Sequence, residues 1–186
     1  MTEDHTEKSA TVSPQTEPAP TPLISAADIP LNKFPVYDIP RGWFQALEAH
    51  AKRRVENGAY GTAPNHFTGL LGEDALARHL GISERLDTEL YADGDGGVDL
   101  VYQGGTIDVK TVGRHREDPA LTVDAYEPLR ADYYALAHRI GPNRCRLIGY
   151  APRHFVANAP THRAKGDHYH HVPSDYLFPV PHFLTA

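Results

Sequence analysis

Between Asp93 and Val112 the chain reads DGDGGVDLVYQGGTIDVKTV, and this stretch constrains the fold more than any other. Apolar and charged residues alternate on either side of Gly104-Gly105, the pattern of two half-buried strands joined by a tight turn. With Gly104 and Gly105 as a two-residue loop, Gln103 faces Thr106, Leu100 faces Val109 and Asp99 faces Lys110. Directly opposed residues share a face. Asp99, Val101, Asp108 and Lys110 are therefore expected on one side, and Leu100, Tyr102, Ile107 and Val109 on the other. The two aspartates become diagonal neighbours, on the order of 7 Å apart at Cβ, within reach of one hard cation. The alternative is a solvent-facing hairpin with an ordinary cross-strand pair between Asp99 and Lys110.

Upstream the period is helical. Trp43, Phe44, Leu47, Ala51 and Val55 recur on one face and stop at Asn57-Gly58, which predicts a helix over residues 41–56. A loop containing Gly, Pro and Asn follows, then a second helical stretch, GLLGEDALARHLG, ended by Gly81. On this second helix Leu76, Ala77 and Leu80 lie three, four and seven positions after Glu73, so Glu73 falls on the apolar stripe while Asp74 and Arg78 fall elsewhere. A carboxylate aimed inward needs a partner, and a metal shared with Asp99 and Asp108 would supply one. Placement in the first helical turn, favoured by the helix dipole, is the simpler account.

Beyond Gly81, the segments LDTELYA, VDLVYQ, GTIDVKTV, ALTV, DYYALAHRI and CRLIGYA are short, rich in β-branched and aromatic residues, and punctuated by turn signals. They are expected to be strands, with Tyr133 and Tyr134 on opposite faces of one of them. APRHFVANA is expected to add a short helix, and the proline-punctuated C-terminal segment to pack irregularly. The expected fold class is α/β, a mixed central β-sheet flanked by helices.

A chain of 186 residues is long enough for one domain with a buried core. Residues 1–30 hold five prolines, eight Ser/Thr and few large apolar side chains, so they are expected to be a disordered, dispensable tail before a single domain over residues 31–186. No apolar run approaches the roughly 20 residues that cross a bilayer, and a cytoplasmic location without a membrane partner is expected. The lone Cys145, in an apolar run, is expected to be buried and structural. The net charge of -6 is unevenly spread: nine acids against two bases from Phe67 to Asp108, then ten bases against five acids from Val109 to Gly166. A cation site beside a polyanion has this asymmetry, as does an ordinary solvated surface.

Gly72-Glu73 on a helix, then Val98-Asp99-Leu100, then Asp108-Val109-Lys110 on the next strand resembles the active-site signature of the PD-(D/E)XK nuclease superfamily, the restriction-endonuclease-like fold, small prokaryotic or phage nucleases and resolvases included. The resemblance covers about residues 41–151. It implies a Mg2+-dependent deoxyribonuclease, with Mn2+ able to substitute, acting on DNA. Asp99 and Asp108 would be metal-binding carboxylates and the Val109 carbonyl a further ligand. Glu73 would complete the metal shell directly or through water, and Lys110 would position or activate the attacking water and stabilise phosphate charge. Val98 stands where the signature has proline. Thr111-Val112 follow the lysine where some members carry glutamine, which leaves endonuclease and exonuclease both open. Oligomeric state is open too, a homodimer included.

Two other readings compete. One is a non-catalytic DNA-binding or protein-interaction module on the same fold. The other is an unrelated metal-binding protein using His162, His168, His170 and His171. The Gly-Asp-His-Tyr-His-His run loosely resembles an HNH nuclease, but no cysteine or upstream Asn/His framework accompanies it.

Overall fold

The computed structural model describes residues 33–83, 97–164 and 166–180. The expected N-terminal tail and the expected LDTELYA strand lie outside these residues. Helix α1 (Arg41–Glu56) has the expected bounds, with Asn57 as C-cap and Gly58 at φ 90° directly after it. Helix α2 (Ala63–His79) begins earlier than its apolar pattern suggests. Thr62 caps it, its hydroxyl accepting from the Asn65 N–H at 3.4 Å, and Pro64 sits in the first turn, where a missing N–H costs nothing. The stretch expected as loop is thus the first turn and a half of the helix.

Among the described residues, eight strands form two sheets. Strand β1 (Val36–Asp38), too short to show alternation in the sequence, lies at one edge of a five-stranded sheet ordered β1-β6-β5-β3-β2. Its other members are β2 (Leu100–Tyr102), β3 (Gly105–Val112), β5 (Tyr133–Arg139) and β6 (Arg144–Pro152). The sheet is mixed, since β3 and β5 run parallel while the other pairs are antiparallel. Strand β4 (Ala120–Asp124) leaves this sheet in the crossover between β3 and β5. It pairs instead with β8 (Asp167–Pro173), which also pairs with β7 (Thr161–Ala164).

Within the C-terminal segment expected to be irregular, residues 161–164 and 167–173 are therefore strand. Its prolines mark strand boundaries, Pro160 before β7 and Pro173 at the end of β8, rather than breaking strands. The short helix α3 (Arg153–Ala157) follows β6 as expected.

Each face of the five-stranded sheet has its own core. On one, α1 and α2 bury Leu47, Leu70, Leu71 and Leu76 against Ile107, Val109, Ala137 and Leu147. On the other, Leu121, Val123 and Val172 from the three-stranded sheet and Val156 from α3 cover Tyr134, Leu136 and Ile148. The two long helices thus cover one face, and the small sheet together with α3 covers the other, so the mixed sheet flanked by helices is present, with a second sheet added to it. Tyr133 packs toward the helices and Tyr134 toward the small sheet, the opposite faces expected of neighbours in a strand. Cys145 is fully buried, and desolvation pushes its thiol up to about 12, so it is inert.

The β2–β3 turn is centred one residue earlier than expected. Gln103 and Gly104 form it, both left-handed at φ 49° and 85°, the geometry that matches strand twist in a two-residue hairpin. Gly105 enters β3 instead, where a Cβ would stand 3.1 Å from the Tyr133 ring. Leu100 consequently pairs with Ile107 rather than Val109, and Tyr102 with Gly105. Moving the turn by one residue moves the pairing by two, so the faces survive while the partners change. Continued outward, this register sets Asp99 opposite Asp108 rather than Lys110.

Candidate functional site

Strand β3 is longer than β2. Past Ile107 the edge that β2 would cover is left without a strand partner among the described residues. Asp99, just before β2, takes over part of that role: its Oδ2 accepts the Val109 N–H at 2.6 Å, extending the ladder with a side chain. This bond fixes the Asp99 carboxylate beside β3.

Helix α2 brings the third acid. It crosses β3, β5 and β6, and Gly72 permits the close approach, since a Cβ there would overlap Thr111 Oγ1 and stand 3.0 Å from the Ala137 Cβ. The Thr111 hydroxyl donates to the Gly69 carbonyl at 3.4 Å across the same contact. One residue on, Glu73 is buried, and its carboxylate lies back toward Gly69, the direction a helical side chain takes.

An open cleft of about 300 Å³ is lined by Arg54, Asn65, His66, Gly69, Glu73, Asp99, Asp108, Val109 and Lys110. Glu73, Asp99, Asp108 and Lys110, drawn from a helix, a loop and a strand, thus share one concavity. Asp108 is buried and its Oδ2 takes the Lys110 ammonium at 2.8 Å. Burial works against that ammonium. Attraction to Asp108, the hydrogen bond with it, and Asp99 and Tyr134 outweigh burial and hold Lys110 above its ordinary range. Tyr134 pairs with Asp108 across the parallel strands, and its own hydroxyl is raised by desolvation first and the Asp108 charge second.

Three cleft residues, Arg54, Asn65 and His66, are not singled out in the sequence. Extending α2 back to Ala63 reveals the signal: His66, Gly69 and Glu73 are spaced three and four apart and share one helix face. Asp74 corrects a second expectation. It is more deeply buried than Glu73, 1% exposed against 8%, because α2 is enclosed on all sides from Leu70 to Ala77. Asp74 accepts from Trp43 Nε1 and from Arg78 Nε, each at 2.7 Å, and does not line the cleft.

The chemistry of the donor set, three carboxylates and a backbone carbonyl, fits a hard dication such as Mg2+. Among the described residues no three His, Cys, Asp or Glu groups are already gathered as a metal shell. Asp108 is turned to Lys110 and Asp99 to Val109. His162, on β7, and His168, His170 and His171, on β8, are all outside the cleft, with the His162 and His171 rings 4.6 Å apart. No described helix is long and apolar enough to cross a membrane. No family model, curated protein or solved structure matches this chain.

Proposed function

We propose that the chain is a metal-dependent nuclease that hydrolyses DNA phosphodiester bonds, built on a restriction-endonuclease-like core of the PD-(D/E)XK kind. One observation carries this reading: Glu73, Asp99, Asp108 and Lys110, separated by up to 37 positions, line a single open cleft. The hairpin of β2 and β3, with α2 on one face and β5 parallel to β3, is consistent with that core.

A Mg2+ held by Glu73, Asp99, Asp108 and the Val109 carbonyl would supply positive charge facing the phosphate and make water acidic enough to attack near neutral pH. The chain's own groups do the rest. Lys110, held charged by Asp108, is an electrostatic donor to a phosphate oxygen or to the attacking water and not a base at neutral pH. The Val109 N–H orients Asp99, and the Gly72 contact sets the distance of Glu73 from β3. Arg54, at the cleft wall, adds a cation that can meet the phosphate backbone.

The ion pair of Asp108 and Lys110 also favours a second reading, a DNA-binding or protein-interaction module in which that pair is structural. Incubation with linear, circular and branched DNA, with Mg2+ and with EDTA, separates the two. Cleavage that requires the metal supports the nuclease. Binding with no cleavage of any form supports the module.

A further inference from the structure

A second cavity, of about 320 Å³, is lined by Thr68, Gly113, Arg114, His115, Arg139 and Pro142. It begins three residues on from Lys110, about 10 Å along an extended chain, a distance that a few nucleotides span. Helix α2 borders both spaces, the cleft at Gly69 and this cavity at Thr68.

Arg139 is built into its wall. Its Nε donates to the Gly141 carbonyl at 3.1 Å, Nη1 to the Thr68 hydroxyl at 3.2 Å and Nη2 to the Pro142 carbonyl at 2.9 Å, with the guanidinium 5.1 Å from the centre of the Phe67 ring. All three acceptors are neutral, and the guanidinium has two more N–H groups to offer. Arg114 is exposed and forms no ion pair or side-chain hydrogen bond among the described residues. Burial first, and then the Arg114 charge, lower the Arg139 pKa, as befits two cations that share a space without an anion.

The carboxylates are elsewhere. Glu73, Asp99 and Asp108 line the cleft, and Glu117 and Asp118, in the connection from β3 to β4, line neither space. Glu48 lines a further hollow that Arg139 also borders, and it is paired with Lys52 at 3.5 Å. The cavity thus has two cations and no acid among its described lining residues, whereas the cleft sets three carboxylates against Arg54 and Lys110 and is net acidic. Without a metal the cleft repels a phosphate, and the cavity attracts one whether or not the metal is bound. A strand presented to such a cleft needs an anchor outside it.

We propose that this cavity binds a phosphate of the DNA backbone, a few nucleotides from the one presented to the cleft, through Arg114 and Arg139, with His115 as a further donor. This deepens the nuclease reading and rests on it for DNA as the ligand.

The test is fluorescence anisotropy with a labelled duplex of about 20 base pairs, in EDTA and again with Ca2+, across a series of salt concentrations. Arg114→Ala, at an exposed position, is expected to keep the fold, to weaken affinity about 5-fold and to lower the salt slope by about 0.9, the share of one phosphate contact. Arg114→Lys retains the slope. Arg163→Ala, exposed on β7 and lining neither space, changes neither quantity. Equal affinity and slope for Arg114→Ala and parent, equal losses in Arg163→Ala, or no duplex binding by the parent overturns the proposal. Calorimetry with inorganic phosphate separates a free anion from the backbone: phosphate bound through Arg114 by a parent that binds no duplex makes the cavity a free-anion site and overturns the assignment to DNA. Mg2+-dependent cleavage is read separately on the same proteins. Duplex that is bound through Arg114 but never cleaved removes the nuclease reading and leaves the phosphate site. Cleavage by Arg114→Ala with the parent's KM and the parent's duplex affinity does the reverse.

Discussion

Glu73 and Asp74 are sequence neighbours, both buried, and do different things. The two oxygens of Asp74 accept from the Trp43 indole N–H of α1 and the Arg78 guanidinium of α2, at 2.7 Å each, so its charge is matched by donors from the preceding helix and its own. Glu73 faces a cleft that it shares with two more carboxylates and a lysine from distant segments. Burial of an acid therefore does not mark a site by itself. The mark is convergence of like charges on one open space, an arrangement that no single residue's stability requires.

Substitutions at the two regions should separate function from stability. The largest effect is expected at the cleft: Asp108→Asn keeps the side chain's size but is a much poorer partner for a hard dication, so Mg2+ affinity and cleavage should be lost together. Calorimetry with Mg2+ and a plasmid-nicking assay check this. Lost cleavage with unchanged Mg2+ affinity would move the metal elsewhere.

Asp74→Ala should do the opposite. It leaves Trp43 Nε1 without its acceptor and Arg78 without its ion pair, at a cost of about 1–3 kcal/mol in urea unfolding, with cleavage per folded molecule unchanged. Equal damage to stability and cleavage would erase the distinction between the two acids.

Gly72→Ala drives a methyl group into Thr111 and should cost about 1–3 kcal/mol while shifting Glu73 away from β3. Adding Thr111→Ala removes the worst overlap, so the double variant should recover part of both stability and cleavage, a non-additivity that a double-mutant cycle measures. Additive losses would mean that the helix-to-strand contact does not set the site.

This contact also shows where the sequence was legible and where it was not. Alternation around the Gly104 turn is enough to place Asp99, Asp108 and Lys110 on one face, because moving a two-residue turn by one position preserves faces. The pairing partners were not legible, since either Gln103-Gly104 or Gly104-Gly105 could form the turn. Only the room that the Tyr133 ring needs beside Gly105, a contact from a distant strand, shows what the choice accommodates. Helical periodicity put Glu73 inward but not Asp74, because that reading assumes one wet face and α2 has none around its middle. The β7 and β8 strands were hidden by prolines and histidines, residues whose places at strand boundaries or within a paired strand appear only once β4 supplies a pairing edge.

A smaller effect concerns pH. Burial, and then repulsion from Arg146, lower the His138 pKa, and burial lowers those of His79 and His171 as well. The unfolded chain therefore binds these protons first, and stability should fall as pH drops below about 6.5, levelling once pH passes the folded values. Lys110 behaves oppositely: its contribution holds below about 10.4 and is lost as pH rises through its raised folded value. Urea unfolding between pH 5 and 11 follows both, and a flat profile across the acid side would contradict the burial of these histidines.

The most direct test of the cleft is the initial rate of Mg2+-dependent DNA cleavage by Lys110→Met beside the parent. Removing the ammonium takes a cation from beside the carboxylates, so Mg2+ affinity should stay equal or rise, yet cleavage per folded molecule should fall about 100-fold or more, while the melting temperature drops because buried Asp108 loses its ion pair. If Lys110→Met cleaves DNA at the parent's rate, the ion pair with Asp108 is structural and the cleft is not a nuclease site.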